Sequence, residues 1–366
     1  MIQKMMKLIK EESLFFIVAI LCLITSLSVA PRVSAIDWKV IFSLLNLMLI
    51  SLALEKYRLL DKIARSILKR FHTPASIGMA MIPTTALLAM LITNDVALIT
   101  VVPLTIIVAK KAGYVPYKTI ALETMAANIG SSLTPFGNPQ NLYLYTAYKI
   151  EPASFLGMML PFVLLGIGLL FLINLGSGRE SLSFSIEDTA LPDKKRVLLY
   201  IGAFLLVLLS ILRYVDFRIV TLLNLGVFLL LDRDLFKKVD YFLLGTFVGF
   251  FIAIDNITRI GFIQTLAEKY LQTPHQVLIL SSLFSQFLSN VPTAILFSGF
   301  TQLYKPLLLG VSLGGLGTMI ASLANLISYK LYRKEFPSSA YTKFFYASNA
   351  VVFVLLFVFL AATLGA

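Results

Sequence analysis

Apolar residues fill runs that recur from Ser13 almost to Ala366, and stretches such as 154–175 and 343–366 are apolar on every side rather than along one stripe. A helix of that kind belongs inside a large core or in lipid. The pattern predicts helical segments at 13–30, 37–55, 75–92, 96–109, 117–135, 139–149, 154–175, 196–212, 218–231, 240–255, 276–288, 293–304, 307–321, 325–332 and 343–366. A full crossing takes ~20 residues, and several of these are shorter. The short ones flank polar interruptions: "TND" at 93–95, "TPFGNPQN" at 134–141 and "SNVPT" at 289–293.

Composition agrees with an all-α polytopic membrane protein, since 58% of residues are hydrophobic and 14% charged. A soluble enzyme is not expected. The basic start (Lys4, Lys7, Lys10) before the run at 13–30 resembles a signal peptide, but the many later runs favour a first transmembrane helix. Cys22 is the single cysteine, which leaves no disulfide framework or cysteine metal cluster. The net charge of +12 comes from Lys and Arg in short connections, where basic charge orients a membrane protein, and nucleic acid is not an expected partner. With the N-terminus cytoplasmic, the basic segments 56–72, 110–118, 179–196, 233–238 and 330–334 fall inside, and the poorly basic 31–39 and 256–275 outside. The expected location is the cell (inner) membrane.

The hydrophilic stretch 177–195 divides the chain, and the two parts echo each other. "SLALEKYRLLDKIA" pairs with "FIAIDNITRIGFIQTLA", "LITNDVALI" with "FLSNVPTAI", and "NIGSSLTPFGNPQNL" with "SLGGLGTMIASLANL". These pairings set Glu55 against Asp255, Asn94 against Asn290, Gly130 against Gly314, Thr134 against Thr318 and Asn141 against Asn325, at offsets of 200, 196 and 184. The expected organisation is a first repeat at 1–176, with a hairpin at 73–109 and a broken helix at 117–149. A second repeat follows at 196–366, with a hairpin at 276–305 and a broken helix at 307–332. The first hairpin lies between two basic segments and is short for two crossings, so it reads as re-entrant, with its tip at "TND". The second then enters from the opposite face, giving an inverted repeat.

Irregular backbone at membrane depth survives where protein or a water-lined site satisfies it. Pro135 and Pro139 lack backbone donors and Gly137 permits unusual dihedrals, so the helix beginning near Tyr117 should stop and restart. Four half-helix ends would then meet near the midplane, with amides for an anion and oxygens for Na⁺. The substrate-binding candidates are Asn94, Thr134, Asn138, Asn141, Ser289, Asn290, Thr318 and Asn325; the coupling-ion candidates are Thr93, Asp95, Gly137 and Asp255, with Na⁺ at Asn94, Asp95 and Asn141. Asn, Ser and Thr in membrane helices also serve as plain interhelical bonds, and Asp95 could pair with amides at the tip. A carboxylate in the membrane is nevertheless functional by default. Glu55 reads as a water-facing or capping group, Glu123 as structural or functional, and His72 and His275 as surface residues. There is no P-loop, no metal-ligand grouping and no Ser/His pair within a span, so neither an ATPase nor a membrane hydrolase is indicated and no resident cofactor is expected.

At "TNDVALITVVPLTI", "GSSLTPFGNPQNL" and "SNVPTAIL" the chain resembles the CitM and ArsB type permeases of the ion transporter superfamily, most closely the YbiR inner membrane protein group. The resemblance covers nearly the whole chain. It implies two re-entrant hairpins, two broken helices, a homodimer with scaffold and transport parts, and elevator-type alternating access. The dicarboxylate and citrate carriers of that superfamily carry Ser-Asn-Thr at both tips. Here the tips read Thr93-Asn94-Asp95 and Ser289-Asn290-Val291, and "TND" is nearer the arsenite and Na⁺/H⁺ antiporter branches. The expected function is ion-coupled secondary transport of a small carboxylate or oxyanion, with Na⁺ or H⁺ as coupling ion. The alternatives are a proton-coupled exporter of arsenite or antimonite type, a Na⁺/H⁺ antiporter and, from another class, a channel.

Overall fold

A computed structural model describes residues 12–187 and 190–364, so the basic start at Lys4, Lys7 and Lys10 lies outside the described residues. The described chain folds into α-helices with two short 3₁₀ turns. In chain order they are α1 (Ser13–Ser28), α2 (Trp38–Lys56), α3 (Leu59–Leu68), α4 (Pro74–Leu91), α5 (Asn94–Ala112), α6 (Tyr117–Ser131), α7 (Pro139–Ala147), α8 (Pro152–Asn174) and α9 (Lys194–Ile211). There follow α10 (Phe217–Leu231), α11 (Tyr241–Thr258), α12 (Gly261–Tyr270), α13 (Pro274–Leu288), α14 (Asn290–Ser298), α15 (Tyr304–Gly314), α16 (Leu323–Arg333) and α17 (Ser338–Leu364). Five of these, α2, α4, α8, α11 and α17, are long and apolar enough to cross a membrane. Large side chains stand exposed along α1, α8, α9, α10 and α17, among them Leu27, Leu172, Leu198, Leu230 and Val358. Apolar faces this extensive suit lipid rather than water.

The helices sort into two groups by packing. A framework is made of α1 against α11, and of α9 and α10 against α2. A bundle is made of α4 to α8 and α13 to α17, with α6 at its centre, packed by α4, α5, α8, α16 and α17. Nearly every residue of α6 from Thr119 to Ser131, and of α15 from Pro306 to Gly314, is buried. Framework and bundle touch where α2 meets α7 and α11 meets α14. The short helices α3 and α12 connect them along the chain.

The two hairpins open alike. Thr73 and Thr273 each cap a helix whose first residue is proline, and each forms a reciprocal capping box, with Ser76 and Gln276 respectively. Their lengths differ from the apolar pattern. The arms of the first hairpin run 18 and 19 residues, about 27 and 28 Å at 1.5 Å per residue. The second arm starts at Asn94 and extends through Lys110 and Lys111, both beyond the expected 96–109. Shortness therefore does not explain why this segment turns back at Thr93. The second hairpin is the compact one, with arms of 15 and 9 residues; its short arm ends at Ser298 rather than 304, and α15 begins at Tyr304.

The framework is joined at one end by a buried carboxylate. Asp232 follows α10, is 3% exposed, and receives hydrogen bonds from Lys56 (2.6 Å), Tyr57 (3.0 Å), Arg196 (3.0 Å) and Tyr200. Burial alone would raise its pKa, but the bonds from Lys56, Tyr200 and Tyr57 outweigh it and hold Asp232 below the usual carboxylate range. Deeper in the framework, Asn46 bonds Thr221 (2.8 Å) and receives a bond from Asn224 (3.2 Å), tying α2 to α10.

Candidate functional site

The first break lies between α6 and α7. The helix stops at Ser131, earlier than the expected 135, and restarts at Pro139, where a missing N–H costs nothing. Gly137 does not take the unusual dihedrals expected of it, since Gly113 and Gly317 are the glycines with positive φ. It is needed for closeness: a Cβ there would sit 2.4 Å from the Ser131 carbonyl and 2.9 Å from that of Ala89. The released carbonyls of Ser131 and Thr134 accept from the Asn141 amide at 3.2 and 3.1 Å. In the second break, Gly315 and Thr318 give their carbonyls to the Asn325 amide at 3.1 and 2.8 Å. Asn141 and Asn325 thus do the same work, folding the chain back on itself where helical pairing fails.

Each tip is fastened to its own break. The backbone N–H of Asn94 donates to Gly137 O at 3.2 Å, and that of Asn290 to Ala321 O at 2.9 Å. Thr134 Oγ1 donates to Met90 O at 2.6 Å, and Thr318 Oγ1 to Gln286 O at 2.9 Å. The two threonine protons are therefore committed to the first arms of the hairpins. Gly130 and Gly314 hold the arms close, since a Cβ on Gly130 would come within 2.6 Å of Ala86 Cα and one on Gly314 within 2.5 Å of Ser285.

Asn128, which sequence reasoning passed over, links the two ends. Its Oδ1 accepts from Asn94 Nδ2 (3.2 Å) and Ser322 Oγ (3.0 Å), and its Nδ2 donates to Asn325 Oδ1 (2.7 Å) and Gly315 O (3.4 Å). One amide on α6 thereby joins the first tip to the second break. The available signal was an asparagine one turn before a break, in "AANIGSS". Its counterpart at the offset of 184 is Ser312, whose buried Oγ has no partner, so pairing amides across the two halves does not single it out. Gln286 was missed as well: its amide donates to Gly314 O (2.9 Å) and Leu316 O (3.0 Å), and its Oε1 accepts from Thr318 N (2.9 Å). Asn138 donates to Ser131 Oγ at 2.9 Å.

The tips differ in chemistry and strain. Asn94 Oδ1 accepts from the backbone N–H of Asp95 at 2.9 Å, and Thr93 is extended. Asp95 Oδ1 is buried with no partner, as is Asn141 Oδ1. Across the site, Ser289 has φ 75° and ψ 157°, a region that almost only glycine occupies, and its Oγ donates to Ala321 O at 3.2 Å. Asp255 is placed elsewhere, partly exposed at the end of α11 and paired with Arg259 at 2.6 Å.

A family model described as a citrate transporter matches residues 5–302, a span holding both tips and the first break. The chain belongs to the CitMHS citrate transporter family. An uncharacterized transporter of Methanocaldococcus jannaschii is 39% identical over 300 residues, covering 81% of each chain. The inner membrane protein YbiR of Escherichia coli is 31% identical over 300 residues, again with 81% of each chain covered. Among solved structures, the YdaH transporter of Alcanivorax borkumensis matches with a TM-score of 0.57 at 15% identity, covering 90% of this chain and 85% of that one, which supports the fold alone. This CitMHS member is a multi-pass membrane transporter, not an enzyme. Among its described residues no group of His, Cys, Asp and Glu has the makings of a metal centre.

Proposed function

We propose that the protein is an ion-coupled secondary transporter of a small carboxylate or oxyanion, bound between the tips Asn94 and Asn290 and the breaks around Asn138, Asn141 and Asn325. The observation that carries this reading is the fastening of both tips to both breaks, with Asn128 joining them. It gathers the N-terminal ends of α5, α7, α14 and α16, whose amide dipoles favour an anion. The unpartnered oxygens of Asp95 and Asn141 fit a hard, oxygen-seeking cation or a proton, and Asp95 is the coupling residue in this reading. The two halves act as inverted repeats, the bundle moves against the framework, and the protein is a homodimer of the cell (inner) membrane with its N-terminus in the cytoplasm.

Reconstituted vesicles test this with three probes: labelled citrate, labelled succinate and arsenite. The expected result is saturable carboxylate accumulation driven by an imposed Na⁺ or proton gradient. Asp95→Asn should abolish the gradient dependence and leave exchange across equal concentrations. Arsenite efflux without carboxylate flux would assign the protein instead to metalloid export, a reading favoured by the absence of any arginine at the tips or breaks. Unitary currents without saturation would make it a channel.

A further inference from the structure

A second acidic group lies in the bundle, away from the tips. Glu123 is fully buried on α6. Its Oε1 accepts from Thr105 Oγ1 on α5 at 2.5 Å, and its Oε2 has no partner. No Lys, Arg or His reaches it among the described hydrogen bonds and ion pairs. Helices α4 and α8 carry no ionisable side chain at all, and those of α15 are confined to Tyr304 and Lys305 in its first turn. Lys110 and Lys111 of α5 are engaged by Glu335 and by the Ser185 carbonyl. The polar groups that reach Glu123 are instead hydroxyls, those of Thr105, Tyr114 and Tyr341. Tyr341 of α17 lies 3.4 Å from Thr124 Oγ1, and its ring stacks at 4.8 Å on Tyr332 of α16, whose buried OH is unpartnered. A carboxylate without a cation in such surroundings is costly, and a proton relieves most of that cost.

A cavity also approaches Glu123 from the first turn of α6. Its volume is about 210 Å³, and it is lined by Tyr114, Lys118, Thr119, Ser177 and Glu180. Thr119, 2% exposed, lies at its inner side, and Glu123 follows four residues later, one turn or ~6 Å deeper on the same face of α6. Tyr114, on the cavity wall, sends its hydroxyl into the protein within electrostatic reach of Glu123.

We infer that Glu123 is a proton-binding site of the bundle, filled and emptied through this cavity by way of Thr119 and Tyr114. It is separate from the proposed ion site at Asp95 and stands whether or not the transport reading does.

Infrared difference spectroscopy of the full-length protein in vesicles, during a pH step, tests it without any transported substrate. A protonated-carboxyl C=O band is expected near neutral pH; it should disappear on raising the pH, be absent in Glu123→Gln and persist in Asp95→Asn. Tyr114→Phe should keep the band and slow its response several-fold. An unchanged amide band and elution profile will show that Glu123→Gln is folded, since its amide can still accept from Thr105; if it fails to fold, the slowed band in Tyr114→Phe decides. A band that survives in Glu123→Gln, or one that stays fixed at every pH, overturns the inference, because Glu123 would then be ionised or a permanently neutral strut.

Discussion

Replacing Asn128 with alanine removes the amide that joins the first tip to the second break. Three groups then lose their one hydrogen-bond partner: Asn94 Nδ2, Ser322 Oγ and, as an acceptor, Asn325 Oδ1. All three residues are at most 2% exposed. A stranded buried polar group costs about 1–3 kcal/mol. The vacated space is polar and amide-sized, so a water can enter and recover part of that loss. The lower end of the range applies, giving about 3 kcal/mol in total, or roughly 4 °C in Tm for a chain of 366 residues. Thermal unfolding in detergent, followed through Trp38, the single tryptophan, measures it. A double-mutant cycle with Asn94→Ala sharpens the test, because the direct bond between the two amides should appear as a coupling of about 1 kcal/mol. If Asn128→Ala unfolds within about 0.5 kcal/mol of the unmodified protein, or the two substitutions are additive, the amide is not the junction described here.

Ser289→Gly should relieve the strained backbone of the second tip and raise stability by about 1 kcal/mol, seen as a higher Tm; a lower Tm would mean that the Ser289 hydroxyl bond outweighs the strain. Gly130→Ala should destabilise by about 2 kcal/mol or more, because its Cβ meets Ala86 backbone at 2.6 Å, whereas Gly168→Ala, with open space around it, should be close to neutral; equal unfolding of the two would refute the close approach of α4 and α6. Asp232 should stabilise the framework fully above the ordinary carboxylate pKa, where the unfolded chain is also ionised. That contribution should fade as pH falls below this value and be gone once pH passes below the lowered native pKa. Asp232→Asn should cost about 3 kcal/mol at neutral pH, the low end for a buried pair because Lys56 and Arg196 are partly exposed, and flatten the acid limb of the unfolding profile; an unaltered acid limb would show that another group governs it.

The sequence was most legible where polarity interrupts apolar runs. "TND", "SNVPT" and "TPFGNPQN" lie where the helices break, because Asn, Pro and Gly act locally on the backbone. The pairings Asn94 with Asn290, Thr134 with Thr318 and Asn141 with Asn325 meet the same kinds of partner in the structure, since each satisfies backbone groups that any such break would orphan. Asn128 was not legible, because its partners lie far along the chain at the first tip and the second break, and its counterpart is a serine. The extents of the hairpin arms were misjudged for a different reason. Lys110 and Lys111 look like a loop by polarity, yet lysines suit the last turn of a helix and α5 runs through them.

The two connecting helices carry a consequence of their own. Both α3 and α12 are ten residues long, about 15 Å, and each joins the framework to a hairpin. At the framework end of α3, Arg58 takes a left-handed turn (φ 58°), which sets α3 off sharply from α2. Because each tip is bonded to its own break, a hairpin that swung open as a flap would give up a backbone bond. Rotation of α3 and α12 about their framework ends asks for no such loss. In the proposed movement of bundle against framework they would act as cranks of equal throw, and ~15 Å is half the thickness of a ~30 Å hydrocarbon layer. In that movement the reach of these two cranks, rather than the opening of either tip, would set the stroke of the bundle.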